Sequence, residues 1–110
     1  MVVETLSDAE VDLIFHALAD TTRRDIVARA IKREQSVTAL AQSYAMSFAA
    51  VQKHVAVLER AALVSKERRG RQQIVRGNLD TIRTAGALLE QYEQLWRDRV
   101  GRIADILAEG

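Results

Sequence analysis

The sequence predicts a mainly α-helical domain that carries one small β-hairpin. Apolar residues recur at helical spacing along most of the 110 residues, and a polar residue suited to capping precedes each such stretch. Strand-like spacing occurs only between residues 63 and 77, around one glycine. The chain has no proline, repeat or low-complexity segment, so we expect residues 1–110 to form a single domain.

The composition is that of an ordinary globular protein, with 48% apolar and 28% charged residues. No apolar run approaches the roughly 18 residues that span a bilayer. The first residues also lack the basic-then-apolar pattern of a signal peptide, so we expect a cytoplasmic protein without membrane contact. The absence of cysteine excludes disulfides, thiolate metal sites and thiol redox switches.

Two helices are predicted in the first third of the chain. Ser7 and Glu10 have the spacing of a capping box at the start of the first helix, and Asp20 can cap the second. The apolar stripe of the first helix consists of Val11, Ile14, Phe15 and Leu18. The stripe of the second helix consists of Ile26, Val27, Ala30 and Ile31.

Two shorter helices are predicted within residues 36–60. Ser36 or Thr38 can cap the first, which ends near Tyr44, and Ser47 can cap the second. At about 100° per residue, three apolar residues of the second helix share one narrow face, which we expect in the core. These residues are Val51, Val55 and Leu58.

The opposite face of this helix is unusual because no acidic residue precedes Glu59. Phe48 and His54 lie on its flanks, and the face itself consists of Ala49, Gln52, Lys53, Ala56 and Arg60. Alanines let a helix backbone approach a nucleic-acid groove, where Gln52 can pair with adenine and Lys53 with guanine or phosphate. The alternative is a solvated face that contains alanine because alanine is the best helix former.

Residues 63–77 are predicted to form a hairpin with Gly70 in its turn, because a tight turn needs a positive φ. Residues 66–76 contain five basic residues and one acidic residue, whereas residues 1–20 contain five acidic residues and no Lys or Arg. On a chain of net charge +1, this local basic patch indicates either a polyanion contact or a solvated loop.

The order of these features predicts a winged helix-turn-helix, with the helix-turn-helix at about residues 36–60 and the wing at 63–77. In such a domain the second helix reads double-stranded DNA, and the wing lies along the backbone or minor groove. The expected DNA-binding residues are Thr38, Ser47, Phe48, Ala49, Gln52, Lys53, His54, Arg60, Arg69 and Arg71.

From about residue 8 to residue 77 the chain resembles the ArsR-type winged helix-turn-helix regulators. Residues 15–24, FHALADTTRR, are similar to the family's "ALADPTRR", and residues 57–64, VLERAALV, are similar to its "VLEEAGLV". Between them lie further matches at Leu40-Ala41, Met46-Ser47, Ala50-Val51 and Lys53-His54. The tail around Trp96 is similar to a subgroup without a metal site. The resemblance implies a dimeric transcriptional repressor.

The chain departs from the family pattern at four positions. Thr21 stands where proline is usual, and Gln52 stands where many members carry serine, so the DNA target is expected to differ. Ala45 and Ala62 stand where glycine is usual. If either position requires a positive φ, alanine costs roughly 1 kcal/mol there.

The family name suggests metal sensing, but the residues here do not support it. The family's sites use cysteine pairs or His and Asp clusters, and this chain has no cysteine and only His16 and His54. A transition-metal site needs three or four such ligands. We therefore predict no metal and no cofactor. Both histidines are interpreted as structural, with phosphate contact as the alternative for His54, and the sequence identifies no effector.

A final helix is predicted over residues 79–109, capped by Asn78. It would be roughly 46 Å long at 1.5 Å per residue, whereas a compact chain of this length has a radius of gyration of about 13 Å. It would therefore overhang a monomer and pair in a homodimer, unless Gly86 or Gly101 breaks it. The expected dimerisation residues are Val11, Ile14, Leu89, Tyr92, Trp96, Val100 and Ile103.

The function predicted from these features is a DNA-binding transcriptional regulator, a dimeric repressor on a near-palindromic operator. The alternative is a winged-helix protein-interaction module that does not bind DNA. An enzyme is not expected, because the chain has no glycine-rich phosphate loop and no grouping of a nucleophile with a base. Tyr92 and Trp96 are interpreted as dimer core, with a ligand site as the alternative.

Overall fold

The structure, a computed structural model, describes residues 6–109, and the predicted fold class is confirmed there. The elements in chain order are α1 (Asp8–Leu18), α2 (Thr21–Lys32), β1 (Gln35–Ser36), α3 (Val37–Ala41), α4 (Phe48–Arg60), β2 (Val64–Arg69), β3 (Gln72–Gly77) and α5 (Leu79–Glu109). The short strand β1 is an addition to the predicted order. Its two residues are too few to show a strand period in the sequence.

Four of the helices begin at the polar residues that the sequence suggested. Ser7 forms a capping box with Glu10, and Asp20 accepts a hydrogen bond from the Arg23 backbone N–H at 2.9 Å. The hydroxyls of Ser36 and Ser47 cap α3 and α4 by accepting from the backbone N–H three residues later. Ser36 therefore caps α3, and Thr38 lies exposed within its first turn.

The hairpin of β2 and β3 forms one part of a three-stranded antiparallel sheet with the order β1-β3-β2. Arg69, the last residue of β2, pairs with Gln72, the first residue of β3, so the turn consists of Gly70 and Arg71 alone. Gly70 has a φ of 61°, as predicted for the turn. The wing, which consists of β2 and β3, is thus joined to β1 through the central strand β3.

The core lies between the helices and one face of the sheet. Its largest fully buried side chains are Ile14, Ile26, Leu40, Val51, Val55, Leu58, Leu63, Val64 and Val75. Helix α4 contributes three of them from the face predicted to be apolar, and it contacts α1, α2, α3 and β2. Since four elements pack on that face, α4 is held firmly while its opposite face stays open.

Helix α4 ends in a Schellman motif that has alanine at the position where glycine is preferred. The Leu63 N–H donates to the Leu58 carbonyl at 3.0 Å, and the Ala62 N–H donates to the Glu59 carbonyl at 2.9 Å. Ala62 has a φ of 59° and is the one described non-glycine residue with a positive φ. The suspected strain is therefore present at Ala62 and not at Ala45.

Helix α5 runs without a break through Gly86 and Gly101, so the alternative of a broken helix is wrong. The Cα radius of gyration is 18.8 Å, well above the roughly 13 Å of a compact chain of this length. Every residue from 89 to 109 is exposed. None of the helices between residues 6 and 109 is long and apolar enough to cross a membrane.

Candidate nucleic-acid interface

The open face of α4 is the centre of the candidate interface. Ala49, Gln52 and Lys53 are exposed, and Ala56 is half-buried. Glu59, the first acidic residue of the helix, lies 3.8 Å from the Lys66 ammonium on β2. The first carboxylate of α4 is therefore paired with a cation, and the charged members of the open face are Lys53 and Arg60.

Hydroxyl side chains lie at the N-terminal ends of α3 and α4. The Ser47 oxygen accepts from the Ala50 N–H at 3.1 Å, and its own O–H can still donate to a phosphate oxygen. Phe48 follows and is 46% exposed, which is high for a phenylalanine. Thr38 is exposed on α3. These predicted residues lie at helix starts, where backbone N–H groups favour anions.

The turn between α3 and α4 is attached to α2 by a cluster that the sequence did not reveal. The Tyr44 hydroxyl donates to Asp25 Oδ2 at 2.5 Å, and Arg29 Nε donates to the same oxygen at 2.8 Å. The Arg29 guanidinium also lies 5.7 Å from the centre of the Tyr44 ring. Only the Asp25–Arg29 spacing of four residues was a signal in the sequence.

The pKa values of the Tyr44 hydroxyl and the Asp25 carboxyl in this cluster are shifted in opposite directions. Burial and the hydrogen bond to Asp25 raise the pKa of Tyr44 to about 12. The hydrogen bonds from Tyr44 and Arg29 hold the pKa of Asp25 below its ordinary value. At neutral pH the cluster is therefore a neutral phenol that donates to an ionised carboxylate, and it fixes the turn that precedes α4.

His54 faces α2 and not the open side of α4. Its Nδ1 lies 3.5 Å from Arg23 Nη1 and 3.9 Å from Asp20 Oδ2, and its side chain is 23% exposed. Arg23 also donates to the carbonyls of Ala17 and His16 at the end of α1. His54 therefore belongs to a network that joins three helices, which agrees with the structural interpretation.

Asp20 is the anionic member of that network. The Arg23 backbone N–H, with smaller contributions from the charges of Arg23 and His54, holds the pKa of Asp20 below its ordinary value. If neutral His54 accepts the hydrogen bond from Arg23 at Nδ1, its Nε2 carries the proton and is the one donor that the ring has left. The predicted phosphate contact of His54 is thus reduced to this single N–H.

Arg60 lies apart from the other predicted DNA-binding residues of α4. It stands seven residues after Lys53, which is about 10 Å along the helix axis. It lines a cleft of about 220 Å³ between α1, the end of α4 and the start of α5. The other lining residues are Leu6, Glu10, Leu13, Ile14, Ala61, Ala62 and Thr81. Arg60 thus lies about two helical turns beyond Lys53, beside this cleft.

The two predicted wing arginines have different surroundings. Arg69 donates to both carboxylate oxygens of Glu34, at 2.6 and 3.2 Å, and to Glu67 at 3.3 Å. These carboxylates raise the pKa of Arg69, and the bond from Arg69 lowers the pKa of Glu34. Arg71 is exposed in the turn and forms no ion pair with residues 6–109. Glu34 was not singled out in the sequence.

The predicted dimerisation residues differ in exposure between α1 and α5. Ile14 corrects the prediction, because it is 2% exposed and belongs to the core of the protomer. It packs inward because α1 contacts α2 and α4. Val11 is half-buried on α1. The five predicted residues of α5, each at least 46% exposed, are Leu89, Tyr92, Trp96, Val100 and Ile103.

Within residues 6–109 there is no group of three or more His, Cys, Asp or Glu side chains that could hold a metal ion. His16 and His54 both contact Arg23, His16 through its backbone carbonyl and His54 through its ring. The His54 ring thus lies between the Arg23 guanidinium and the Asp20 carboxylate.

The fold has several counterparts among solved structures. An ArsR-like transcriptional regulator from Rhodococcus sp. RHA1 is 30% identical, with a TM-score of 0.78 over 89% of this chain and 92% of that chain. An ArsR family transcriptional regulator is 26% identical, with a TM-score of 0.79 over 86% of this chain and 97% of that chain. No protein-family model and no curated protein matches the sequence.

A third structure shares the fold at lower identity. It is the homodimeric winged helix-turn-helix DNA-binding domain of Mb0332 from Mycobacterium bovis, described as a possible ArsR-family transcriptional regulator. It is 22% identical, with a TM-score of 0.65 over 84% of this chain and 92% of that chain. The three matches extend over most of each chain, so they include helices that precede the hairpin and part of the helix that follows it.

Proposed function

Because the chain belongs to the ArsR family of winged helix-turn-helix transcriptional regulators, we propose that it is a dimeric repressor that binds a near-palindromic operator. The observation that carries this proposal is the open face of α4. This face has no acidic side chain, and its small alanine side chains allow the helix to approach DNA closely. It also lies beside the basic wing. We propose a cytoplasmic location and no catalytic activity.

The proposed contacts with DNA follow from the exposure of the side chains. Gln52 and Lys53 reach base edges in the major groove, where an amide can pair with adenine and an ammonium with guanine. Ser47 and Thr38 contact phosphates beside the groove. Arg71, at the tip of the wing, contacts the backbone or the minor groove. Phe48 and Ala49 add contact area where α4 enters the groove.

The dimer is supported by the uncovered apolar seam of α5. Tyr92 and Trp96 are each 60% exposed, and Val100 and Ile103 are about half exposed. Burying a large apolar side chain stabilises an assembly by about 1.5–3 kcal/mol. A two-fold dimer would bury the seam and place two copies of α4 about 34 Å apart, in successive major grooves. The similar fold from Mycobacterium bovis is described as homodimeric.

Binding to the promoter region of its own operon over a series of salt concentrations tests the proposed function. Lys53→Ala is expected to weaken binding and, because it removes a cation from the groove, to reduce the salt slope by up to about 1 per protomer. Arg97→Ala removes the same charge from α5, where Arg97 pairs with Glu93, and serves as the matched control. The control is expected to bind with the affinity and salt slope of the unsubstituted protein.

Two results would contradict the proposal. If Lys53→Ala and Arg97→Ala bind DNA equally well, the open face of α4 is not the reading surface. If the unsubstituted protein binds neither this promoter nor genomic fragments in a gel shift, the winged helix is a protein-interaction module. Loss of promoter activity in cells upon expression, and its recovery with Lys53→Ala, would identify the regulator as a repressor.

A further inference from the structure

We propose that Glu34 is a positioning residue for the wing. Together with Glu67 it holds the guanidinium of Arg69 away from DNA, so that the phosphate contact of the wing is made by Arg71. This inference rests on the proposed DNA-binding function. It also changes the role of Arg69, which the sequence predicted to bind DNA.

The Arg69 side chain points back along the hairpin, away from the turn. Arg69 is the last residue of β2, directly before the turn at Gly70 and Arg71. Glu67 lies two residues earlier on the same face of the strand, on the side away from the turn. Because Arg69 donates to Glu67 at 3.3 Å, its guanidinium points back toward the base of the hairpin. It is therefore directed away from the tip that approaches DNA.

Glu34 lies at the edge of the sheet opposite the strand that carries Arg69. Glu34 directly precedes β1, which is one edge of the sheet, and Arg69 ends β2, which is the other edge. The central strand β3 lies between them. The pair of Arg69–Glu34 hydrogen bonds, at 2.6 and 3.2 Å, thus connects the two edges of the sheet. Such a connection restrains the hairpin relative to the loop between α2 and β1.

The chemistry of the pair explains why Arg69 is withheld from phosphate. A carboxylate that accepts two parallel N–H bonds satisfies a guanidinium in the geometry that a phosphate would use. Arg69 already has this arrangement with Glu34 and has Glu67 in addition. A phosphate that approached Arg69 would also meet the negative charge of both carboxylates. Arg71 has no such competitor within the described chain.

The expected size of the effect follows from the exposure of the pair. The side chains of Arg69 and Glu34 are 46% and 40% exposed. Exposed ion pairs are weak, and releasing Arg69 should therefore change affinity for DNA by about two- to fivefold. A salt series can resolve such a change when variants are compared in parallel.

The first experiment compares Arg69→Ala with Arg71→Ala on the operator fragment over a salt series. Arg71→Ala is expected to reduce the salt slope by about 1 per protomer, and Arg69→Ala is expected to leave it unchanged. The two variants remove the same charge from neighbouring positions of one hairpin, so each controls for the other. Equal reductions of the slope would overturn the proposal, because both arginines would then contact phosphate.

The second experiment releases Arg69 by the substitution Glu34→Gln. Affinity for DNA is expected to increase about two- to fivefold, and the increase is expected to disappear in the Arg69→Ala background. An increase that persists without Arg69 would overturn the proposal, because it would come only from removal of a negative charge near DNA. Glu93→Gln on α5, which breaks the pair with Arg97, is the matched control and should have no effect.

A third measurement uses the free protein and does not depend on DNA. The carboxyl carbon of Glu34, followed by NMR, should titrate below its ordinary pKa of 4.5 and return toward that value in Arg69→Ala. Arg76 also lowers the pKa of Glu34, so a partial return is expected. An ordinary titration in the unsubstituted protein would overturn the restraint. If no variant binds DNA, the proposed function fails, and this titration alone decides whether the restraint exists.

Discussion

Helix α4 and the distal half of α5 have the same kind of apolar stripe and opposite surroundings. In α4, Val51, Val55 and Leu58 are at most 1% exposed, because four other elements cover their face. In α5, Tyr92 and Trp96 are 60% exposed, with no element of the described chain against them. A helical stripe therefore identifies a face that requires cover, but the cover can come from the same protomer or from a second one.

The largest expected effect comes from placing a charge on the uncovered stripe. Trp96→Glu would put two unpaired carboxylates near the two-fold axis of the proposed dimer, at a cost of at least about 3 kcal/mol. We expect a monomer in sedimentation at concentrations where the unsubstituted protein is dimeric, and weak binding to the full operator.

Gln91→Glu is the matched control for Trp96→Glu, because residue 91 lies about 140° around the helix from residue 96. It introduces the same charge on α5, and the dimer is expected to persist. A dimeric Trp96→Glu variant would show that the apolar stripe of α5 is not the interface.

A second comparison uses one substitution at two glycines. A Cβ at Gly77 would lie 2.7 Å from Ile31 Cγ1 and 3.0 Å from Ile31 Cα, whereas a Cβ at Gly101 would have no heavy atom within 4 Å. Gly77→Ala should lower the free energy of unfolding by about 2 kcal/mol, because β3 must move away from α2. Gly101→Ala should raise it by about 0.5–1 kcal/mol, because alanine favours a helix.

Chemical denaturation of both glycine variants measures this difference. The opposite signs test whether the end of β3 is tightly packed while α5 is open on the side of Gly101. A Gly77→Ala variant as stable as the unsubstituted protein would contradict the close approach of Ile31 and Gly77.

Removal of the Tyr44 hydroxyl tests how the helix-turn-helix is held against α2. Tyr44→Phe leaves Asp25 without one hydrogen bond and should lower the free energy of unfolding by about 1–2 kcal/mol. Operator binding should weaken because the turn before α4 is held less firmly. The salt slope should stay constant because Lys53 remains in place. A change in the salt slope would instead indicate that the substitution removes a phosphate contact.

The same tyrosine predicts a dependence of stability on pH. The folded state raises the pKa of Tyr44 from 10.0 to about 12, so between these values the folded protein binds more protons than the unfolded chain. The contribution of Tyr44 is therefore present below pH 10 and is lost as the pH rises toward 12. Tyr44→Phe should remove this contribution from an unfolding series in that range, and an unchanged pH profile would contradict it.

The smallest expected effect is a gain in stability at the end of α4. Ala62 has a φ of 59°, a conformation that costs an alanine about 1–2 kcal/mol. Ala62→Gly removes this strain and adds backbone freedom to the unfolded chain, so a net gain of about 0.5–1 kcal/mol is expected. Ala61→Gly, at a neighbouring position with a φ of −81°, should destabilise the protein. A thermal unfolding series distinguishes the two.

Local signals in the sequence were sufficient for most of the fold. The caps at Ser7, Asp20 and Ser47 and the turn at Gly70 act within three or four residues, so their chemistry is visible in the order of the residues. The apolar stripes similarly depend on spacing along one helix. These features determined the order of the helices and the hairpin, and with it the fold class.

Contacts between distant parts of the chain determine which side chains remain available for a ligand. His54 contacts Arg23 across 31 positions of the chain, and Arg69 contacts Glu34 across 35, so no pattern within one element reveals either pair. Ile14 likewise appeared suited to a dimer until its packing in the protomer was known. The helices, the hairpin and the open face of α4 could be read from the order of the residues, because they depend on local spacing. The partners of each charge depend on distances between elements, which only the folded chain defines.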